Sequence, residues 1–214
     1  NKFKSVIATE LAALIAWSAA QNNDRLGGLI FSSEEHIELK PRRGKAAVLD
    51  FIGRCTKHSA WRSGQPGNPP AKVSERRMLS AVARLRKVTY PGSLIFMISD
   101  FRGLDEKSYS HIANIARHND IVMIKIHDPI EAELPISGDY KLSDGIKELQ
   151  IHTADKKLRD EYQRRYLDND DQLKTFCRQN RIHLIPVSTE DDYLDRLNKG
   201  LGVRTNKKRK FRSA

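Results

Sequence analysis

Asp100 follows an apolar run, Leu94-Ile95-Phe96-Met97-Ile98, with only Ser99 between them. Two further greasy runs also end in polar groups. Ile121 to Ile126 leads into His127-Asp128-Pro129, and Ile182 to Val187 leads into Ser188-Thr189. A carboxylate at the carboxyl end of a buried parallel strand faces the crevice where open α/β sheets bind ligands. Each of these residues also has a plain structural use. Ser188 or Thr189 ahead of Glu190, Asp191 and Asp192 reads first as a helix N-cap. Asp128 before Pro129 reads first as a turn former. Asp100 is harder to explain as a cap, because Phe101, Arg102 and Gly103 intervene before Asp105 offers a better one. Both uses stay open for it.

A second group of candidates is cationic. Lys40-Pro41-Arg42-Arg43-Gly44-Lys45 reads as a basic loop at the start of a helix, with Arg42, Arg43 and Lys45 as contacts for an anion. Its bland alternative is a solvated loop. The stretch imitates the end of a P-loop, but Leu39 stands where the first glycine belongs and Ala46 where the magnesium-binding hydroxyl belongs. Asp24 followed by Glu38-Leu39-Lys40 across a hairpin would be the pattern of a metal-dependent nuclease, two carboxylates and a lysine around a phosphodiester. No GxGxxG, GxSxG or HExxH occurs, and the seven histidines have no zinc-ligand spacing. Asp168-Asn169-Asp170-Asp171 has Leu173 where a calcium loop needs glycine and Gln179 where it needs glutamate, so it reads as a solvated helix face.

The elements that must position these residues follow from periodicity. Helices are expected over Lys4–Gln21, Gly44–Lys57, Ser74–Lys87 with Ser74 as cap, about Asp105–Asn119, a long charged stretch striped by Leu158, Tyr162, Tyr166, Leu173 and Phe176, and about Asp191–Leu197. Arg25–Phe31 and His36–Leu39 read as an antiparallel edge hairpin, and Ser137–Thr153 as a small β insertion turning at Ser143-Asp144-Gly145. Ser63 to Pro70 reads as a loop. Strands alternating with helices argue for a mostly parallel α/β sheet flanked by helices, with Asp100, Asp128 and Ser188 on one sheet edge.

The 214 residues can build one substantial core or two small ones. Thirty-eight basic against 27 acidic residues leave a formal charge of +11, which favours acidic partners without choosing among nucleic acid, lipid or protein. Cys55 and Cys177 form no CxxC pair, which fits a reducing, cytoplasmic setting. No signal peptide or membrane span is expected, since Val6 to Ala20 is interrupted by Thr9, Glu10 and Ser18. The chain starts at Asn1, without methionine, on the threshold of its first helix. The stretch from 202 to 214, with Lys207-Lys208-Arg209-Lys210, is expected to be a basic disordered tail behind one domain over 1–201.

Leu11-Ala12-Ala13-Leu14-Ile15-Ala16-Trp17, Asp24-Arg25-Leu26-Gly27, Lys40-Pro41-Arg42-Arg43-Gly44, Gly92-Ser93-Leu94 through Ile98-Ser99-Asp100-Phe101, and Asp128-Pro129-Ile130-Glu131-Ala132-Glu133-Leu134-Pro135 resemble the bacterial domain-of-unknown-function family 58. The resemblance implies a von Willebrand factor A-like (Rossmann-like) fold and a MoxR-type AAA+ ATPase as partner. It also implies an Mg²⁺ adhesion site, in which Asp100 matches the aspartate at the end of the fourth strand. The Asp-x-Ser-x-Ser loop of such a site would fall before Asn1, together with the first strand. The residues from Ser59 to Ser74, where its threonine should lie, contain none. The expectation is therefore a non-catalytic protein-binding domain with an incomplete metal site, binding through Ser99, Asp100 and Asp128 and through Arg42, Arg43 and Lys45. The rival expectation is a metal-dependent nuclease or nucleic-acid binder that uses the basic surface.

Overall fold

In a computed structural model, the described residues are 2–32, 36–61, 71–132, 139–143, 148–152 and 155–202. Their centre is a parallel three-stranded sheet in the order β3 (Leu94–Ser99), β4 (Asp120–His127), β7 (His183–Ser188). Ser99 lies opposite Lys125, and His127 lies opposite Ser188, so all three strands finish at one edge.

The middle strand is apolar in both alternating sets because both of its faces are covered. Ile121 and Met123 enter a core with Met78, Val82, Phe101, Ile112, Leu173 and Cys177. These come from α3 (Ala71–Val88), α4 (Glu106–Ala116) and α5 (Lys156–Gln179) and from the loop after β3. Val122, Ile124 and Ile126 enter a second core with Ile7, Leu11, Ile185, Val187 and Leu197, supplied by α1 (Lys4–Gln21), β7 and α6 (Tyr193–Gly200). Strand positions one apart thus belong to different layers, as the pleat requires. Among the described residues, no helix is long and apolar enough to cross a membrane.

β1 (Arg25–Phe31) and β2 (His36–Arg43) form the expected antiparallel hairpin, but not at an edge of the parallel sheet. Among the described residues they make a separate two-stranded sheet. Helices carry its contacts instead: α1, α2 (Lys45–Thr56) and α3 all pack on β1. Gly28 lets α2 come close, since a Cβ there would fall 2.9 Å from the Phe51 ring. β2 also runs four residues past Leu39. Lys40 and Pro41 together lie opposite the single residue Gly27, a bulge that accommodates a proline with no N–H to give the ladder. The basic stretch is therefore strand up to Arg43, with Gly44 as N-cap and Lys45 as the first residue of α2.

Other corrections are smaller. α3 opens at Ala71, three residues before Ser74, because Ala71 and Lys72 are good helix formers. α4 starts behind Asp105, which accepts the Ser108 N–H at 2.8 Å, and stops at Ala116. β5 (Asp139–Ser143) and β6 (Glu148–His152) pair antiparallel as the small insertion. Its turn at Asp144-Gly145, the Ser63–Pro70 loop and the tail beyond Gly202 lie outside the described residues.

Candidate functional site

The sheet edge is built from three strand ends, and Ser99, Asp100, Asp128 and Ser188 each make a hydrogen bond there. In the loop after β3, Ser99 Oγ accepts the Phe101 N–H at 3.2 Å and Asp100 Oδ1 accepts the Arg102 N–H at 3.2 Å. These bonds fold the chain back tightly enough to put Phe101 at φ 54°, a left-handed conformation that costs a bulky residue about 1–3 kcal/mol. Burial of its ring in the α3–α4–α5 core offsets that cost.

The other Asp100 oxygen faces a cation of the chain itself. Lys4 Nζ, at the start of α1, lies 3.2 Å from Asp100 Oδ2 and 2.6 Å from Glu131 Oε1. The Arg102 guanidinium reaches Glu131 Oε2 at 3.0 Å. Glu131 closes a short 3-10 turn, Pro129–Glu131, whose cap is Asp128. Asp128 Oδ1 accepts the Ile130 N–H at 3.1 Å, and Glu131 reaches back to the Asp128 N–H in a capping box. Tyr162 of α5 donates its hydroxyl to the Glu131 carbonyl at 3.0 Å. Lys4, Asp100, Arg102 and Glu131 thus form one charge-balanced network that ties α1 to the ends of β3 and β4.

Behind it, Lys125 is nearly buried between Asp170 and the face of Tyr166, 5.4 Å from the ring centroid. Burial pushes the Asp170 carboxyl up, but hydrogen bonds from Lys125 and Lys174 outweigh this and hold it below the usual range. At the end of β7, Ser188 Oγ accepts the Glu190 N–H at 3.2 Å, while Asp192 is the true cap of α6, accepting from Leu194 and Asp195. Ser188 and Thr189 are therefore turn residues rather than the helix cap. A reach of two residues suits an Asx-type cap better than one of five. Thr189 Oγ1 and His127 Nδ1 are buried at this edge without a hydrogen-bond partner among the described residues.

The donor set does not suit a divalent ion. Among the described residues, no group of three or more His, Cys, Asp or Glu side chains could hold one. One Asp100 oxygen already serves an ammonium and the other a backbone amide. A hard cation wants six or more oxygens free to face it.

The edge brings together Ser99, Asp100 and Asp128. No hydrogen bond or ion pair joins Arg42, Arg43 or Lys45 to them. The nuclease pattern is not assembled either. Glu38 pairs with Leu29 across the hairpin, whereas Asp24 precedes β1 by one residue. That separation is roughly 15 Å along the strand, too far to share an ion. Glu38 instead binds Arg84 of α3 at 3.1 Å. Sequence reasoning missed Lys4, Arg102 and Glu131. The Asp-Pro-x-Glu spacing at 128–131 was the available signal for Glu131, whereas nothing local marks Lys4.

The family model described as "Protein of unknown function DUF58" matches residues 1–172. The chain belongs to this family. No curated protein matches the chain. Two solved structures share the α/β fold with this family member. One is the conserved hypothetical protein BatB from Bacteroides thetaiotaomicron, 12% identical, TM-score 0.50, covering 91% of this chain and 86% of that one. The other is an aerotolerance-related membrane protein from Bacteroides fragilis, 12% identical, TM-score 0.52, covering 92% and 89%.

Proposed function

We propose that this chain is a von Willebrand A-like module that acts by binding protein, without catalysis, as partner or adaptor of a MoxR-type AAA+ ATPase in the cytoplasm. The observation that carries this reading is the sheet edge itself. Lys4, Asp100, Arg102 and Glu131 are about a fifth to a third exposed and joined to one another by ion pairs. Charges so arranged suit recognition of a complementary polar surface better than bond-breaking, which needs a nucleophile beside a base. The cytoplasmic assignment draws support from Cys55 and Cys177, both free and buried.

The test is capture of a MoxR-type ATPase by the immobilised domain at moderate salt. Capture should survive 0.3 M salt and weaken at least fivefold for Asp100→Ala, roughly 1 kcal/mol of binding energy. No capture, or capture indifferent to Asp100→Ala, would sink the assignment. A nucleic-acid reading has the cationic end of β2 in its favour. It requires DNA binding that falls steeply with salt.

A further inference from the structure

A cavity of about 300 Å³ lies between the β1–β2 hairpin and α2, away from the network around Asp100. Leu26, Leu39 and Phe51 give it apolar walls. Three of its charged residues are internally settled or tied to a neighbouring helix: Asp50 binds Arg54 at 2.9 Å, and Glu38 binds Arg84 of α3 at 3.1 Å. Lys40 and Arg42, which also line it, have no acidic partner among the described residues. The uncompensated charge on the cavity is thus positive.

The ladder beside it adds to that excess. Arg25 lies directly opposite Arg43, and Lys45 opens α2 with no acidic residue in the first helical turn. Like charges facing each other across an antiparallel pair destabilise it. A fold that carries such a pair at an exposed hairpin end, with no acidic partner for either arginine among the described residues, holds a surface set for an outside anion.

We propose that this cavity docks an acidic segment of a partner protein, with a Glu or Asp carboxylate at Lys40 and Arg42 and a neighbouring apolar side chain against Leu26, Leu39 and Phe51. The proposal rests on the protein-binding reading above and gives it a second, chemically defined contact. A protein segment fits better than nucleic acid for two reasons. The apolar walls of Leu26, Leu39 and Phe51 suit an aliphatic side chain beside the carboxylate, which a phosphate chain does not carry. The one ring there, Phe51, is already against Gly28 rather than free to stack on a base.

The experiment is fluorescence anisotropy on the whole chain with four labelled probes. These are a peptide of Glu and Leu spaced by Gly and Ser, the same peptide with Leu replaced by Ser, its Lys/Leu counterpart, and a single-stranded oligonucleotide of equal charge. The Glu/Leu peptide should bind best. Lys40→Ser with Arg42→Ser should weaken it roughly tenfold. Lys156→Ser, an exposed lysine on α5, should leave it unchanged. Lys40→Glu with Arg42→Glu should shift the preference to the Lys/Leu peptide, a gain that misfolding would not produce. Absent peptide binding, binding indifferent to these changes, or tighter oligonucleotide binding would each overturn the proposal. ATPase capture is scored separately. Peptide binding without capture leaves this cavity standing and removes the ATPase, and capture without peptide binding does the reverse.

Discussion

Lys4 gives α1 a hold on two strand ends at once, so its replacement tests the network most directly. Lys4→Met should lower stability by about 1–2 kcal/mol, because it leaves two part-buried carboxylates with less compensation. In a chain of this size that is a fall of roughly 2–8 °C in Tm, seen by calorimetry and smaller at high salt. Lys4→Arg should recover part of it. Asp170 makes a pH-dependent prediction. Its folded-state pKa is depressed, so its contribution is complete above the ordinary carboxylate value of 3.8 and is lost as pH falls through the lower folded value. Asp170→Asn should therefore lower Tm at neutral pH and flatten the acid limb of Tm against pH below about pH 4. An unchanged acid limb would mean that the Lys125–Asp170 pair contributes nothing to acid stability.

At the scale of elements, α6 is positioned by a missing side chain. A Cβ on Gly200 would fall 2.7, 2.8 and 2.9 Å from three side-chain atoms of Ile185, which is buried in β7 and has no room to retreat. Replacing glycine by alanine gains up to about 1 kcal/mol in a helix interior, but less at a last turn. Overpacking a filled site costs about 1–3 kcal/mol. The clash wins, and Gly200→Ala should lower the urea midpoint. Ile185→Val in the same chain removes the nearest methyl group and should recover part of the loss, which would establish the contact as the cause. The hairpin depends on the same device, since Gly28 makes room for Phe51 and so sets how closely α2 lies on β1.

At the scale of the whole molecule, the two cysteines report whether the sheet and its helix layers open as one body. Cys55 lies in α2 and Cys177 in α5, where its sulfur meets Met123 Sδ at 3.6 Å beneath the central strand. Burial pushes both thiols up to about 11. At pH 8 both thiols are overwhelmingly protonated, and Cys55 is only 9% and Cys177 2% exposed. Labelling by a thiol reagent should therefore be slow, equal at the two sites, and accelerated by urea in step with global unfolding. Faster labelling of Cys55 would show that the hairpin and α2 open separately from the parallel sheet.

Periodicity alone determined most of the elements and the sandwiched sheet, because burial is written into the residue types. Ile121 to Ile126 is apolar at every position but Lys125, and only a strand covered on both faces needs that. The shared edge of Asp100, Asp128 and Ser188 followed from parallel connection. Three things were decided only in three dimensions. Lys4 meets Asp100 and Glu131 across 96 and 127 residues, and no local pattern records a pairing at that range. β2 runs through Pro41 because a bulge opposite Gly27 absorbs it, which depends on the partner strand rather than on β2 itself. Asp100 faces the Lys4 ammonium because α1 delivers it to that edge; the carboxylate was legible in the sequence, but this counter-charge was set by packing.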